Sequence, residues 1–261
     1  MQNNGWKTTY FRRTVWIVIL AVIWQALALA KVFNPLIFPP LPTIFSTLWT
    51  SLMNGSLVQA TFFSLWLIFQ GLIIGIVLGL ILVLMSMTGR TMAELIATLT
   101  AVAHPLPGIA LLPLVILCLG AGTKAIVFII VHAVLWPILV NLTTGFKATP
   151  RIYKEVGQNM RFNKIQTIRF ILIPAALPHL LSGLKIGWAR AWRALISAEM
   201  IFGAAGGIGG LGWFIFQRRV FMDSAGIYAG VIVIIIIGMV VEDLFFEKIE
   251  QATIRKWGIS A

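Results

Sequence analysis

Apolar residues gather in long runs separated by short polar or Pro/Gly-rich breaks. A helix crossing a bilayer needs roughly 20 predominantly apolar residues. The runs predict spans over residues 15–32, 57–87, 92–119, 125–146, 177–202 and 225–246, about six in all. None of the segments alternates like the roughly ten-residue strands of a membrane barrel. Backbone groups in hydrocarbon must be satisfied internally, so the expected class is an all-α, polytopic bundle of transmembrane helices. The first run follows a basic start and lacks a small-x-small cleavage pattern, so it reads as a retained span rather than a signal peptide.

The breaks predict the organisation. Residues 1–56 hold an N-terminal tail, the first span and an external segment, 57–250 the helical core, and 251–261 a tail. Between the first two spans, Pro35, Pro39, Pro40 and Pro42 forbid a regular helix, and a short amphipathic helix is expected over 43–53. Gly71, Gly75 and Gly79 repeat at four-residue spacing on the second span, the small-residue stripe that lets helices approach closely. That stripe fits packing inside the bundle or a seam between subunits. Pro105, Pro107 and Pro113 are expected to bend the third span, as tolerated where broken helices line a cavity.

Composition supports the same class. Only 11% of residues are charged against 59% hydrophobic, too few to solvate the surface of a soluble protein. The net charge of +12 is spread over the breaks rather than on one polar face, which argues against nucleic-acid binding. Threading six spans puts Lys7, Arg12, Arg13, Arg90, Lys147, Arg151, Lys154, Arg161, Lys164, Arg169, Lys248, Arg255 and Lys256 on one side. Lys31, Lys124, Arg218 and Arg219 fall on the other. Both termini are therefore expected in the cytoplasm. The single cysteine, Cys118, reads as a small buried hydrophobe, and no Cys/His spacing suggests a metal. No phosphate-binding loop and no catalytic cluster stands out, so catalytic residues are expected to be absent.

Charges inside the fifth span are costly unless paired or solvated, which marks Lys185, Arg190, Arg193 and Glu199. Helical spacing puts Lys185, Trp188, Trp192 and Glu199 on one stripe, with Arg193 at its border. Arg190 and Arg193 could attract an anion into an aqueous pathway or form structural ion pairs. Glu199 has Leu195 at i−4, so its partner is expected on another helix or subunit. His104, Pro107, Trp136, His132 and Asn141 complete the polar or kink-forming candidates for the pathway.

The basic connection over 147–174 places Ile152, Val156, Met160, Ile165 and Ile168 at near-helical spacing, which suits a partner's groove or a lipid surface. Its residues Tyr153, Glu155, Val156, Gly157, Arg161, Ile171 and Pro174 carry a resemblance. The pattern from Thr149 to Arg161, followed by Ile171 and Pro174, resembles the coupling loop of ABC importer permeases, the binding-protein-dependent inner-membrane components. Glu155 stands at the motif Glu and Val156-Gly157 at the motif Ala-Ala. Arg161 replaces the motif Gly, and Ile173 replaces the Leu before the proline. Phe38 to Pro42, His104 to Pro107, Leu111 to Pro113, Ser182 to Gly187, Ala198-Glu199 and Gly210 to Gly212 resemble the nitrate/sulfonate/taurine branch, which often has Arg at the place of His104.

The resemblance implies a type I importer permease fold with cytoplasmic coupling helices in a bacterial inner membrane. It implies a second permease subunit, most simply a homodimer, and two cytosolic ATPase subunits that hold ATP and Mg. It also implies an external substrate-binding protein. This chain would supply the pathway and the lever without being an enzyme. The implied cargo is a small anion such as a sulfonate, taurine, nitrate, bicarbonate or an aromatic acid. A neutral or cationic heterocycle, or an ion-gradient transporter, stays open on the residues alone.

Overall fold

The structure is a computed structural model that describes residues 4–203, 209–251 and 253. Among these residues every regular element is helical. The chain divides into two compact units. One is Met1–Gln59 with Phe214–Ile234, and the other is Ala60–Trp213 with Ile235–Ala261.

The helices are α1 (Asn4–Leu29), α2 (Leu41–Met53), α3 (Ser56–Ser86), α4 (Arg90–Ala103), α5 (Leu112–Leu119) and α6 (Thr123–Ala148). They continue with α7 (Arg151–Asn159), α8 (Lys164–Thr167), α9 (Ile173–Phe202), α10 (Leu211–Val220), α11 (Ser224–Met239) and α12 (Glu247–Glu250). Among the described residues five helical stretches are long and apolar enough to cross a membrane: Phe11–Leu29, Ser56–Ser86, Thr123–Ala148, Lys164–Phe202 and Ser224–Glu250. A sixth crossing exists only as a broken pair. The region expected as one span over 92–119 is α4 followed by Gly108–Leu119, bent by 90°. Pro105 and Pro107 lie at the break and cannot donate the backbone bonds that would carry the helix through it.

Three local readings need correction. The amphipathic helix starts at Leu41 rather than residue 43, because Pro42 sits in its first turn, where a missing N–H costs nothing. The fifth span does not begin near residue 177. It extends helically from Lys164, through a π-helical turn over Ile168–Leu172, into α9. Pro174 at the start of α9 has no N–H for its preceding turn, and a widened turn there accommodates the loss. Cys118 is exposed, not buried. The expected tail over 251–261 falls, apart from 251 and 253, outside the described residues.

In the larger unit α6 is the central helix. Ile126, Ile129, Ile130, Val134 and Ile138 are completely buried on it, as expected for a helix apolar all round. The glycines of α3 meet it in register. A Cβ on Gly75 would lie 2.8 Å from Val134 Cγ1, and one on Gly79 would lie 2.9 Å from Ile138 Cγ2. Gly71 faces Ile130 in the same way. Its other side meets α9, where a Cβ on Gly183 would lie 3.1 Å from the Pro137 carbonyl and one on Gly187 3.5 Å from Val134 Cα. Small residues on both neighbours thus let β-branched side chains of α6 sink between them.

In the smaller unit, Trp24 of α1 stacks on Phe38 at 3.8 Å and meets Tyr228 of α11 edge-on at 4.9 Å. Its indole N–H donates to the Pro39 carbonyl at 3.1 Å, and Gln25 Oε1 accepts from the Leu41 N–H at 2.9 Å. The prolines of this segment cannot donate to a regular helix, so side chains of α1 satisfy some of its remaining backbone groups.

Candidate translocation site and coupling segment

The break between α4 and α5 opens a cavity of about 500 Å³ in the larger unit. His104, Pro107, His132, Trp136, Arg190 and Arg193 contribute to its lining, and no carboxylate does. The α4–α5 corner supplies His104 and Pro107, α6 supplies His132 and Trp136, and α9 supplies the arginines. Arg190 Nη1 lies 3.1 Å from His104 Nε2, so the guanidinium donates to the imidazole and is held at the cavity wall. Arg193 Nε donates to the Ala189 carbonyl at 2.9 Å, which leaves its terminal nitrogens for the opening. Among the described residues His132 Nε2 and Trp136 Nε1 are buried without a hydrogen-bond partner. Such polar atoms are costly to leave unpaired, and a ligand or water in the cavity would satisfy them.

The sequence expectation placed Trp188 and Glu199 with this group; the structure places both elsewhere. Trp188 stacks on Trp192 at 5.7 Å and faces an apolar groove with Phe62 and Leu244. Lys185 is exposed and does not line the cavity. Asn141 Nδ2 donates to the Pro137 carbonyl at 2.8 Å, within its own helix.

Glu199 is completely buried. Ser64 Oγ of α3 donates to its carboxylate, 2.7 Å from Oε1 and 2.9 Å from Oε2. The Gly212 N–H donates to Oε2 at 2.9 Å, and the Leu211 N–H donates to Ser64 Oγ at 2.9 Å. These two N–H groups belong to the first turn of α10, where helices have no internal partner. Side chains from α3 and α9 thus cap α10 from a distance, with a carboxylate at the positive end of the helix dipole. Gly210 allows the close approach, since a side chain there would overlap the Glu199 carboxylate. Ser64 was not recognisable in the sequence. A lone hydroxyl in an apolar span carries no pattern, and its partner lies 135 residues away.

The connection after α6 forms two helices at a sharp turn. The α7 helix ends in a Schellman motif: Phe162 N–H donates to the Gly157 carbonyl and Arg161 N–H to the Gln158 carbonyl, both at 2.9 Å. Arg161 occupies the left-handed position with φ 55°, a conformation usually given to glycine. Asn163 then caps α8 in a reciprocal capping box with Gln166. Gly157 is buried, and a Cβ there would lie 2.5 Å from Ile171 Cδ1, so that side chain covers the back of α7. The opposite face is open. Ile152 is 63% and Tyr153 53% exposed, and Val156 and Met160 are exposed beside them. Glu155 pairs with Arg151 at 2.9 Å, with much of both side chains in solvent.

Residues 71–255 match the family model described as "Binding-protein-dependent transport system inner membrane component". The chain belongs to this family. The permease is 26% identical over 231 residues to the taurine transport system permease protein TauC of Escherichia coli (strain K12), covering 87% of this chain and 82% of that one. It is 29% identical to the nitrate import permease protein NrtB of Synechocystis sp., over 88% and 83% of the two chains. It is also 26% identical to the putative aliphatic sulfonates transport permease protein SsuC of Bacillus subtilis, over 92% and 84%. Among solved structures it resembles a chain of an amino acid ABC transporter crystallised with histidines. The TM-score is 0.61 at 18% identity, over 80% of this chain and 97% of that one, a likeness of fold alone. The permease is thus an ABC importer's membrane component of all-helical fold. The ion-gradient alternative is not favoured, and Glu199, the membrane carboxylate it would need, is engaged in capping α10.

Proposed function

We propose that this permease passes a small anion through the cavity beside the α4–α5 break, and that α7 is the lever by which a separate ATPase drives it. The observation that carries the first part is the placement of Arg190 and Arg193 on one wall with no carboxylate in the lining. A wall of uncompensated cations lowers the energy of an anion far more than that of a neutral or cationic solute. Relatives named for taurine, nitrate and sulfonates support that sign of charge.

The second part rests on shape. A short helix with an exposed apolar face is suited to insertion in a partner's groove. Its rear face is locked by Ile171 against Gly157, so a push on α7 is passed to the π-turn and α9, which bears both arginines. In this reading two cytosolic ATPase subunits hold ATP and Mg, a second copy of the permease completes the pathway, and an external binding protein delivers the anion. The assembly sits in a bacterial inner membrane with both termini in the cytoplasm.

The test is uptake by the reconstituted assembly. Arg190→Gln and Arg193→Gln should raise the half-saturating concentration for binding-protein-delivered taurine, nitrate or an alkyl sulfonate, or abolish uptake. The ATPase subunits should still co-purify. Unchanged uptake of whichever anion the wild type carries would remove the assignment.

A further inference from the structure

A second cavity, of about 550 Å³, opens along α4, against the C-terminal parts of α3 and α6. Its walls are apolar, with Val83 from α3, Ile96 from α4 and Leu139 and Val140 from α6. Two cations stand at its rim: Lys147 in the last turn of α6, and half-buried Lys154 on α7. No carboxylate lines it. The neighbouring acids are already engaged, since Glu94 pairs with Arg90 at 2.8 Å and Glu155 with Arg151 at 2.9 Å. Among the described residues neither Lys147 nor Lys154 forms an ion pair. Three hydroxyls of the lining are also spent. Ser86, Thr100 and Thr144 donate to carbonyls of their own helices at 2.6, 2.7 and 2.9 Å. The two ammoniums therefore carry the cavity's positive charge, and the Thr143 hydroxyl is the remaining polar group of the lining.

This combination selects an amphiphile. A small hydrated anion would lose water against Ile96, Leu139 and Val140 without replacement bonds. A neutral hydrocarbon would leave the lysines unmatched. The cavity lies at the C-terminal ends of α3 and α6, both long enough to span the bilayer, so it sits near head-group depth. Basic pockets between spans at that depth attract acidic head groups.

We propose that this cavity holds an anionic phospholipid, its phosphate between Lys147 and Lys154 and an acyl chain along α4 and α6. Because Lys154 belongs to α7, the head group would tie that helix to the end of α6. That consequence rests on the reading of α7 as the lever; the binding itself does not.

The permease with its co-purified ATPase can be placed in phosphatidylcholine nanodiscs carrying a trace of photoactivatable phosphatidylglycerol, and the labelled peptides mapped. Label is expected on α4 and the second half of α6. Lys147→Gln with Lys154→Gln should lower it roughly twenty-five-fold, about fivefold for each lysine. Each single substitution gives its own fivefold reading if the double variant does not assemble. Lys147→Arg with Lys154→Arg, and Lys164→Gln on exposed α8, should retain the label. Equal labelling of the Gln variants would overturn the proposal, as would an equal loss in Lys164→Gln. Equal labelling by photoactivatable phosphatidylcholine would reduce the site to a greasy groove. Displacement by millimolar glycerol phosphate would make it a site for soluble phosphate, and either result overturns the lipid assignment.

Discussion

Ser64 and Glu199, 135 residues apart in the chain, share a hydrogen bond of 2.7 Å in the buried interior of the permease. Neither residue has a charged partner in that arrangement. The carboxylate instead receives the Ser64 hydroxyl and the Gly212 N–H, and the serine oxygen receives the Leu211 N–H. One acid thereby joins α3 and α9 to the start of α10, and it does not line the cavity beside the α4–α5 break.

Glu199→Ala should destabilise the permease by roughly 2–4 kcal/mol, because the Gly212 N–H and the Ser64 hydroxyl lose their acceptor in a fully buried site. Glu199→Gln keeps an acceptor oxygen and should cost about half as much or less. Thermal unfolding in detergent, read by intrinsic fluorescence, gives both values. Equal midpoints for wild type and Glu199→Ala would exclude the capping role.

The glycine stripe of α3 should behave as a steric partner of α6. Gly75→Ala places a methyl 2.8 Å from Val134 Cγ1 and should cost about 1–3 kcal/mol through overpacking. Val134→Ala in the same chain should recover most of that loss, since the two sites share one volume. A double-mutant cycle on unfolding midpoints measures the coupling. Simple additivity would show that the two helices do not meet there.

At the turn after α7, Arg161→Gly should stabilise rather than damage the fold. The left-handed conformation costs a side-chain-bearing residue about 1–2 kcal/mol, of which glycine's extra freedom when unfolded returns part. A net gain of roughly 0.5–1 kcal/mol is expected, with Arg161→Asn between. The comparison belongs at fixed lipid and salt. A loss of stability in the glycine variant would contradict the geometry of the turn.

Glu155→Gln should separate coupling from stability. Its ion pair with Arg151 is largely solvated, and exposed pairs contribute little to folding. The unfolding midpoint should stay where it is, while ATP-driven uptake falls if α7 seats in the ATPase. Stimulation of ATP hydrolysis by loaded binding protein is the direct readout. Uptake and stimulation both at wild-type level would detach Glu155 from the lever.

The apolar runs by themselves determined a helical membrane bundle, because hydrocarbon leaves a backbone no other way to satisfy its polar groups. They also determined the approximate position of most spans, though not the 90° break of the third or the start of the fifth. The spacing of Gly71, Gly75 and Gly79 also announced a close helix contact, since a four-residue period keeps small residues on one face. The short helices of the connection over 147–174 were likewise legible in its near-helical apolar spacing. What the chain could not declare locally was which residues face each other. Arg190, His104, His132 and Trp136 come from three separate segments, and only the 90° break at Pro105 and Pro107 brings the first corner against α6 and α9. Glu199 could be read in sequence either as a pathway charge or as a residue paired with another helix, because a buried carboxylate and a solvated one look alike there. Its neighbours Ser64 and Gly212 exist only in three dimensions. Hydrophobic patterning is a property of a segment and its solvent, whereas a site is a property of distances between segments, and those are set by packing.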